Sequence, residues 1–554
     1  MAKHYLQCLT EVMAHQWDDL ALTDYGENHE YTFGQLAQEM IKMQILFEKL
    51  GIKKGDKIAL AGRNCANWAV AYLAITAYEG VVVSILQDFT AENIAYLLDH
   101  SDSDMLFVGP YVWKELKEQT LPERLKVVIS LEDFSTISSK EGIVVPTSEE
   151  IESELNKRYP NGLQADDVNF NADLEALSII NYTSGSTGSP KGVMLNGRSI
   201  SNNIIEVAFK VLPVEPGQRL VSMLPLAHMF GQVAELLYPL CAGTHIYFLT
   251  RTPTPSILLK AMKEVKPYLV VTVPLVIEKI YKKSIDPTIS KWAIRTFWHM
   301  PLIGNLIKSR VKSALTNAFG GQLRYFICGG AAMNPVVEKC LMDIHFPLSI
   351  GYGMTETGPL IGGNPPKYFK RRSCGVPVAN MEVKIDMTNV DNEEALKNGI
   401  GEILVRGANV MLGYYKNEEA TKAVFTEDGW MRTGDLGYMD KKKNIFIKGR
   451  SKTMILGASG QNIYPEEIED KLNNQEAVGE SLVIEREGKL IALVFPDETL
   501  TQKMTLEDIE RIMKANLEKL NNLIPSYSKV SNIEVQDKPF EKTPKKSIKR
   551  FLYK

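Results

Sequence analysis

Apolar residues along the chain gather into short runs bounded by Gly, Pro and charged positions, rather than into one long periodic stretch. Ile58–Ala61 and Val81–Ile85 are compact apolar runs that read as buried strands, and Trp68–Tyr78 between them reads as a helix. The same alternation returns through Leu220–Leu224, Val233–Leu240, His245–Leu249 and Leu269–Val273, and Leu177–Ile180 and Leu323–Ile327 add two more strand-like runs. Strands that alternate with helical patterns predict an α/β fold. The stretch Glu132–Asp173 is polar, acidic and weakly periodic, and is expected to be loop-rich surface. Beyond residue 450 the character changes to Lys- and Glu-rich sequence with short apolar patches such as Ser481–Ile484 and Leu490–Phe495, which predicts a small α+β domain. A chain of 554 residues is too long for a single core. The expectation is therefore a large N-terminal domain of layered α/β subdomains over 1–450, followed by a small domain over 451–554.

The same pattern limits where the chain works. No segment reaches the roughly 18 to 20 apolar residues that span a bilayer, and Tyr268–Ile277 and Val233–Ala242 read as buried strand and helix. Met1–Cys8 leads into the charged Glu11, Asp18 and Asp19 without a signal-peptide apolar region. The six cysteines, Cys8, Cys65, Cys241, Cys328, Cys340 and Cys374, are scattered and form no C-x-x-C pair, so neither a zinc site nor a disulfide framework is indicated. A reducing cytoplasm is the expected home, with any membrane contact peripheral, at the inner membrane face. A net charge of −4 gives no basic footprint for nucleic acid.

Candidate chemistry begins directly after the apolar run Leu177–Ile180, at Asn181-Tyr182-Thr183-Ser184-Gly185-Ser186-Thr187-Gly188-Ser189-Pro190-Lys191-Gly192. Glycines at 185, 188 and 192 let backbone N–H groups approach an anion, Thr183, Ser184, Ser186, Thr187 and Ser189 supply hydroxyls, and Lys191 supplies a cation. The spacing fits neither G-x-x-x-x-G-K-[ST] nor G-x-G-x-x-G, so the common nucleotide folds are disfavoured while a phosphate-holding loop remains.

Tyr182–Gly192 resembles the signature loop of the adenylate-forming superfamily, which includes acyl-CoA synthetases, adenylation domains and luciferases. Four more blocks resemble that family in order: Cys328-Gly329-Gly330-Ala331-Ala332; Gly351-Tyr352-Gly353-Met354-Thr355-Glu356-Thr357; Gly429–Gly437; and Lys448–Lys452, continuing to Ser459–Glu469. The resemblance implies that Gly330, Ala331 and Ala332 leave room for a flat ring and that Tyr352, between Gly351 and Gly353, stacks on adenine. It implies that Thr355 contacts the α-phosphate, that Glu356 helps to hold Mg²⁺, that Asp435 and Arg450 take the ribose, that Lys452 is an interdomain hinge and that Gly460 lines the pantetheine tunnel of a mobile lid. Leu224–Phe230 is similar to the block that opens the acyl pocket, placing His228 near the substrate carboxylate.

The block Val233–Gly243, with Gly329–Asn334 and Ile455–Gly460, most resembles long-chain fatty acid:CoA ligases. The implied substrates are ATP, a fatty acid and CoA, joined through an acyl-AMP intermediate. A ligase for a medium-chain or aromatic acid, or a catalytically weakened nucleotide or acyl binder, are the alternatives. Two departures stand out. The family's terminal Thr-Pro-x-Gly-Lys-Ile block here reads Thr543-Pro544-Lys545-Lys546-Ser547-Ile548, so Ser547 occupies the lysine position and Lys546 is taken as its substitute. Gln232 stands where some long-chain enzymes carry an aromatic gate, so chain-length gating cannot be carried over from the resemblance.

Overall fold

In a computed structural model, the protein is described over residues 3–183, 190–251, 254–289, 291–388, 396–451, 453–456, 462–486, 488–502, 504–525, 528–543 and 547–553. The chain forms two compact units, one of residues 1–381 with 406–423 and the other of residues 382–405 with 424–554. The packing division is thus not a single cut at 450, because 382–405 and 424–450 pack with the C-terminal residues.

Two large sheets organise the first unit. One runs Leu348–Ile350, Tyr325–Cys328, Leu269–Thr272, Arg219–Ser222, His245–Phe248, Leu20–Asp24, Glu30–Thr32 in spatial order, parallel except for the terminal hairpin. The other runs Gly413–Tyr414, Lys191–Asn196, Leu177–Thr183, Val81–Ile85, Lys57–Ala61, Ser103–Val108, Val127–Ser130, Thr136–Ser139, with a parallel centre and antiparallel strands at both edges. The central strands are buried along their whole length, which is why they read as continuous apolar runs rather than alternating ones. The helix Ala66–Ala77 is also apolar on every side, and all but its last residue are buried.

The expectation of loop-rich surface over Glu132–Asp173 is corrected in part. A helix occupies Ser148–Arg158, opened by a capping box in which Thr147 and Glu150 satisfy each other's backbone N–H groups. Leu155 is its only buried residue, so the apolar period that announces a helix is missing. Arg158 holds the helix in place through a forked contact to Glu48, at 2.6 and 3.3 Å.

The second unit contains a four-stranded sheet of Met381–Asp386, Gly401–Gly407, Met431–Met439 and Ile445–Arg450. It also contains a three-stranded sheet of Val478–Arg486, Lys489–Pro496 and Val530–Val535, covered by the helices Pro465–Leu472 and Leu506–Leu523 around a core that includes Leu472, Val483, Val494, Met513 and Leu520. Short strands and helices around a separate core match the expected α+β character.

Candidate active site

In the first unit, the site is built where neighbouring parallel strands end. Gly329 donates its N–H to Thr272 at 3.2 Å and Gly351 donates to the Cys328 carbonyl at 2.9 Å, so the loops leaving three adjacent strands emerge side by side. The carboxyl ends of parallel strands are where open α/β sheets hold their ligands. Gly330 turns the chain with φ +83°, and Ala331 and Ala332 are exposed beside it. Tyr352 and Gly353 pair with Leu360–Gly363 so tightly that a Cβ on Gly353 would lie 1.8 Å from the Pro359 carbonyl oxygen. Tyr352 is buried, and Thr355, Glu356 and Thr357 form one buried turn after it.

The strands Leu177–Thr183 and Lys191–Asn196 form a hairpin with Thr183 opposite Lys191. Ser184, Gly185, Ser186, Thr187 and Gly188, between them in sequence, lie outside the described residues. Gly413–Tyr414 adds to the free edge of the hairpin, with Tyr414 opposite Val193. That register lays the Tyr414 ring beneath the Lys191 ammonium, 5.0 Å from the ring centroid, a cation–π distance. The Tyr414 hydroxyl donates to Glu356 Oε1 at 2.9 Å. Burial, and next the Glu356 charge, push the Tyr414 phenol up, so it remains a donor. One aromatic side chain therefore touches both the cation and the carboxylate singled out in the sequence.

Among the described residues Glu356 Oε2 receives no hydrogen bond, leaving an oxygen that suits a hard cation. No cluster of three or more His, Cys, Asp or Glu among the described residues is placed to hold a metal. A divalent ion at Glu356 would therefore take most of its ligands from phosphate oxygens and water.

Behind the Thr355–Thr357 turn lies a group of buried asparagines that the sequence reading did not single out. Asn202 donates to Asn409 at 2.7 Å, Asn409 to the Leu360 carbonyl at 2.7 Å, and Asn203 accepts from the Leu360 N–H at 3.1 Å. They satisfy backbone groups that would otherwise be stranded in the interior.

His228 stands just before the helical turn Met229–Gly231, without a side-chain capping bond to it, on a loop held from three sides. Asn64 donates to the Leu224 carbonyl at 2.7 Å and accepts from the Leu226 N–H at 2.9 Å, while Asn181 donates to the Ala227 carbonyl at 2.8 Å. Glu235 accepts from Ser222 Oγ and from the N–H groups of Met223 and Leu224 at 2.9–3.0 Å. It is fully buried, and burial pushes its carboxyl up to about 8 although these donors pull the other way. A lone carboxylate inside the apolar run Val233–Leu240 was the signal available in the sequence. Gln232 is also fully buried, donating to Ser84 Oγ at 3.0 Å and the Leu226 carbonyl at 3.2 Å. It is one more pin of the loop.

In the second unit, Asp435 and Arg450 face each other on paired strands, with Nε 2.8 Å from Oδ1. Asp435 is buried and Arg450 more than half exposed, so the pair presents its cationic side outward. The terminal block closes on itself through Thr543 N–H to the Ser547 carbonyl at 2.8 Å and a bridge between Lys542 and Ile548. Phe540, Ile548 and Tyr553 seat it on Leu482 and Leu493. Arg550 pairs with Glu469, whose largely buried carboxyl also accepts from the Val483 N–H at 2.6 Å and is pushed up to about 7, chiefly by burial. Lys542 pairs with Glu480 and Lys549 with Glu541. Lys452, Gly460 and Lys546 lie outside the described residues.

A large α/β domain with a small α+β domain after it is the fold of solved adenylate-forming enzymes. The chain belongs to the AMP-binding enzyme family, whose model matches residues 9–415, and the AMP-binding enzyme C-terminal domain matches 452–553. Its relatives include the long-chain-fatty-acid CoA ligase ACSBG2 of Rattus norvegicus, 24% identical over 91% of this chain and 76% of the relative. Long-chain-fatty-acid CoA ligase 1 of Saccharomyces cerevisiae is 27% identical over 88% and 75%, and the long-chain-fatty-acid acyl-carrier-protein ligase AEE15 of Arabidopsis thaliana is 26% identical over 90% and 77%. Among solved structures, ATP-bound MatB from Rhodopseudomonas palustris superposes with a TM-score of 0.74 at 19% identity, covering 99% of this chain and 98% of its own. The anthranilate CoA ligase AuaEII in complex with anthranoyl-AMP gives 0.77 at 19%, covering 100% and 96%.

Proposed function

We propose that the chain is an ATP-dependent long-chain fatty acid:CoA ligase that works through an acyl-AMP intermediate. The observation that carries the reading is the placement of Lys191 and Glu356 on either side of Tyr414, cation and carboxylate held at one point among the strand-end loops. The names of relatives that match most of the chain's length point to long-chain acids.

In the first step the fatty carboxylate attacks the α-phosphorus of ATP and pyrophosphate leaves. Lys191 and the 184–188 loop take phosphate oxygens, Thr355 the α-phosphate, and His228 orients the carboxylate. Asp435 and Arg450 take the ribose, and Lys546 supplies the charge that Ser547 cannot. Mg²⁺, when bound at Glu356, neutralises charge on the phosphates. Positioning and charge neutralisation do most of the work in such a reaction. In the second step the CoA thiol attacks the acyl carbonyl and AMP leaves, with Gly460 lining the thiol's approach and Lys452 serving as the hinge between steps.

Pyrophosphate release by purified protein with ATP, Mg²⁺ and acids from acetate to oleate, with CoA, with holo-acyl carrier protein, and with neither, tests the reading. Release that rises with chain length and is accelerated by CoA is expected. A preference for benzoates would move the substrate to aromatic acids, and acceleration by carrier protein alone would move the acceptor. Silence with ATP still bound would leave a non-catalytic binder.

A further inference from the structure

Between Asp286 and Glu338 the chain carries no acidic residue, yet it holds Lys291, Arg295, Lys308, Arg310, Lys312 and Arg324, in a protein whose net charge is −4. The same stretch concentrates exposed apolar side chains. Trp292 is 81% exposed, Leu302 79% and Leu306 66%, with Phe297, Met300 and Ile303 between 38% and 47%.

The fold explains part of this stretch and leaves the rest. The helix Ile303–Ala318 turns Ile307, Val311 and Leu315 onto the core of the first unit, the spacing of one inward face. Leu306 lies off that face, and Ile303, at the helix's first turn, extends the row beyond the core and stays 47% exposed. The turn before the helix is firmly built: Gly304 packs where a Cβ would meet the Trp298 carbonyl oxygen at 2.5 Å, and Gly304 N–H bonds the Met300 carbonyl at 2.9 Å. Leu302 is held there at φ +68°, a left-handed conformation rare for a branched side chain, with its isobutyl group projecting outward. Trp298 anchors the turn from inside, its indole N–H 3.4 Å from Asp343, with Lys308 over its ring at 5.6 Å. A rigid turn that displays leucine, methionine and tryptophan beside exposed Lys291 and Arg310 is costly in water unless something apolar and anionic covers it.

We infer that Trp292–Arg310 is a docking surface for an anionic lipid bilayer, with Trp292, Leu302 and Leu306 entering the headgroup region and the cations meeting lipid phosphates. A second copy of the chain fits less well, because a self-complementary contact would set this cation-rich stretch, which has no acid of its own, against itself. The surface shares no residue with the candidate active site, and the inference holds whatever acid the chain activates.

Vesicle flotation of the full chain tests it, with phosphatidylcholine alone and with added phosphatidylglycerol, at low and high salt. Flotation that needs phosphatidylglycerol and falls with salt is expected. The double substitution Leu302→Ser with Leu306→Ser should weaken it at least tenfold while thermal unfolding is unchanged, and Arg310→Glu should weaken it independently of packing. A blue shift of tryptophan fluorescence on vesicles should be lost in Trp292→Phe. Failure to float with either lipid, or flotation indifferent to both sets of substitutions, would overturn the inference. So would a concentration-dependent dimer dissolved by the leucine substitutions, which would give the surface to a second copy.

Discussion

Tyr414 donates a 2.9 Å hydrogen bond to Glu356, and the two are kept in register by Met411, whose N–H bonds the Glu356 carbonyl at 2.9 Å. A residue far away in sequence thus fixes the orientation of the carboxylate that would hold Mg²⁺. Replacing Tyr414 by Phe keeps the ring beneath Lys191 and removes only the hydroxyl. The expected result is a roughly tenfold loss of pyrophosphate release with a raised Mg²⁺ requirement, as suits a lost hydrogen bond of about 1.5 kcal/mol. Tyr414→Leu should lose more, because the cation–π contact goes too. A Mg²⁺ titration of both variants checks this; an unchanged requirement in Tyr414→Phe would remove the positioning role.

Asp435 is buried against Arg450, and Arg450 is exposed enough to turn toward a ligand. Asp435→Asn should raise the ATP dissociation constant by about tenfold to a hundredfold, on the order of 1.5–3 kcal/mol for charged hydrogen bonds, and leave folding intact. Calorimetric titration with a non-hydrolysable ATP analogue measures it. Equal affinity would take the ribose role from Asp435.

Glu235 gives the fold a pH dependence. Its carboxyl stands at about 8 in the folded chain against an ordinary 4.5, so between these values the folded state holds the proton more tightly than the unfolded one. The stability this lends is complete below about pH 4.5 and is lost as pH rises through about 8. Glu235→Gln cannot titrate. The variant should gain in unfolding free energy relative to the parent as pH goes from 5 to 8, by an amount on the order of a few kcal/mol, read from denaturant melts at each pH. A constant difference across that range would show that Glu235 does not titrate there.

The terminal block is tied to the second unit by Arg550 and Glu469, a partly buried ion pair. Arg550→Ala leaves the Glu469 carboxyl buried without its cation, a loss of about 1–3 kcal/mol after allowance for the exposure of Arg550. Hydrogen exchange should quicken in Val478–Arg486 and Phe540–Tyr553 first. Adding Glu469→Gln should recover part of the loss, and a double variant worse than Arg550→Ala would argue against the pairing.

For the missing terminal lysine, Lys542 and Lys549 are already engaged by Glu480 and Glu541. That leaves Lys545 and Lys546: Lys546→Ala is expected to abolish most pyrophosphate release, while Lys545→Ala, Lys542→Ala and Lys549→Ala keep theirs within about threefold, as surface ion pairs contribute little. Loss in Lys549→Ala alone would hand the role to that residue.

The buried strands were legible because both faces of a central parallel strand are covered, which leaves uninterrupted apolar runs such as Val81–Ile85. The helix Ser148–Arg158 was not legible from its periodicity, since it buries only Leu155, although Thr147 and Glu150 announced its cap. Asp435 and Arg450 were found as separate blocks, and their pairing follows from strand register that no linear motif encodes. Tyr414 gave no signal by itself: its importance comes from joining a hairpin edge and placing its hydroxyl on a residue 58 positions earlier. Glu235 and Asn64 act by holding backbone, and such work looks in sequence like ordinary polarity in a core.

The chain passes between its two packing units three times, with 406–423 returning to the first unit before the second resumes. Exchange of parts between relatives thus has three seams to respect, and the short insert between two of them travels with Glu356. A graft that takes everything after residue 381 as one cassette would import a foreign Tyr414 to a native Glu356. Parent and donor would then meet at the hydrogen bond on which the metal-binding carboxylate is expected to depend.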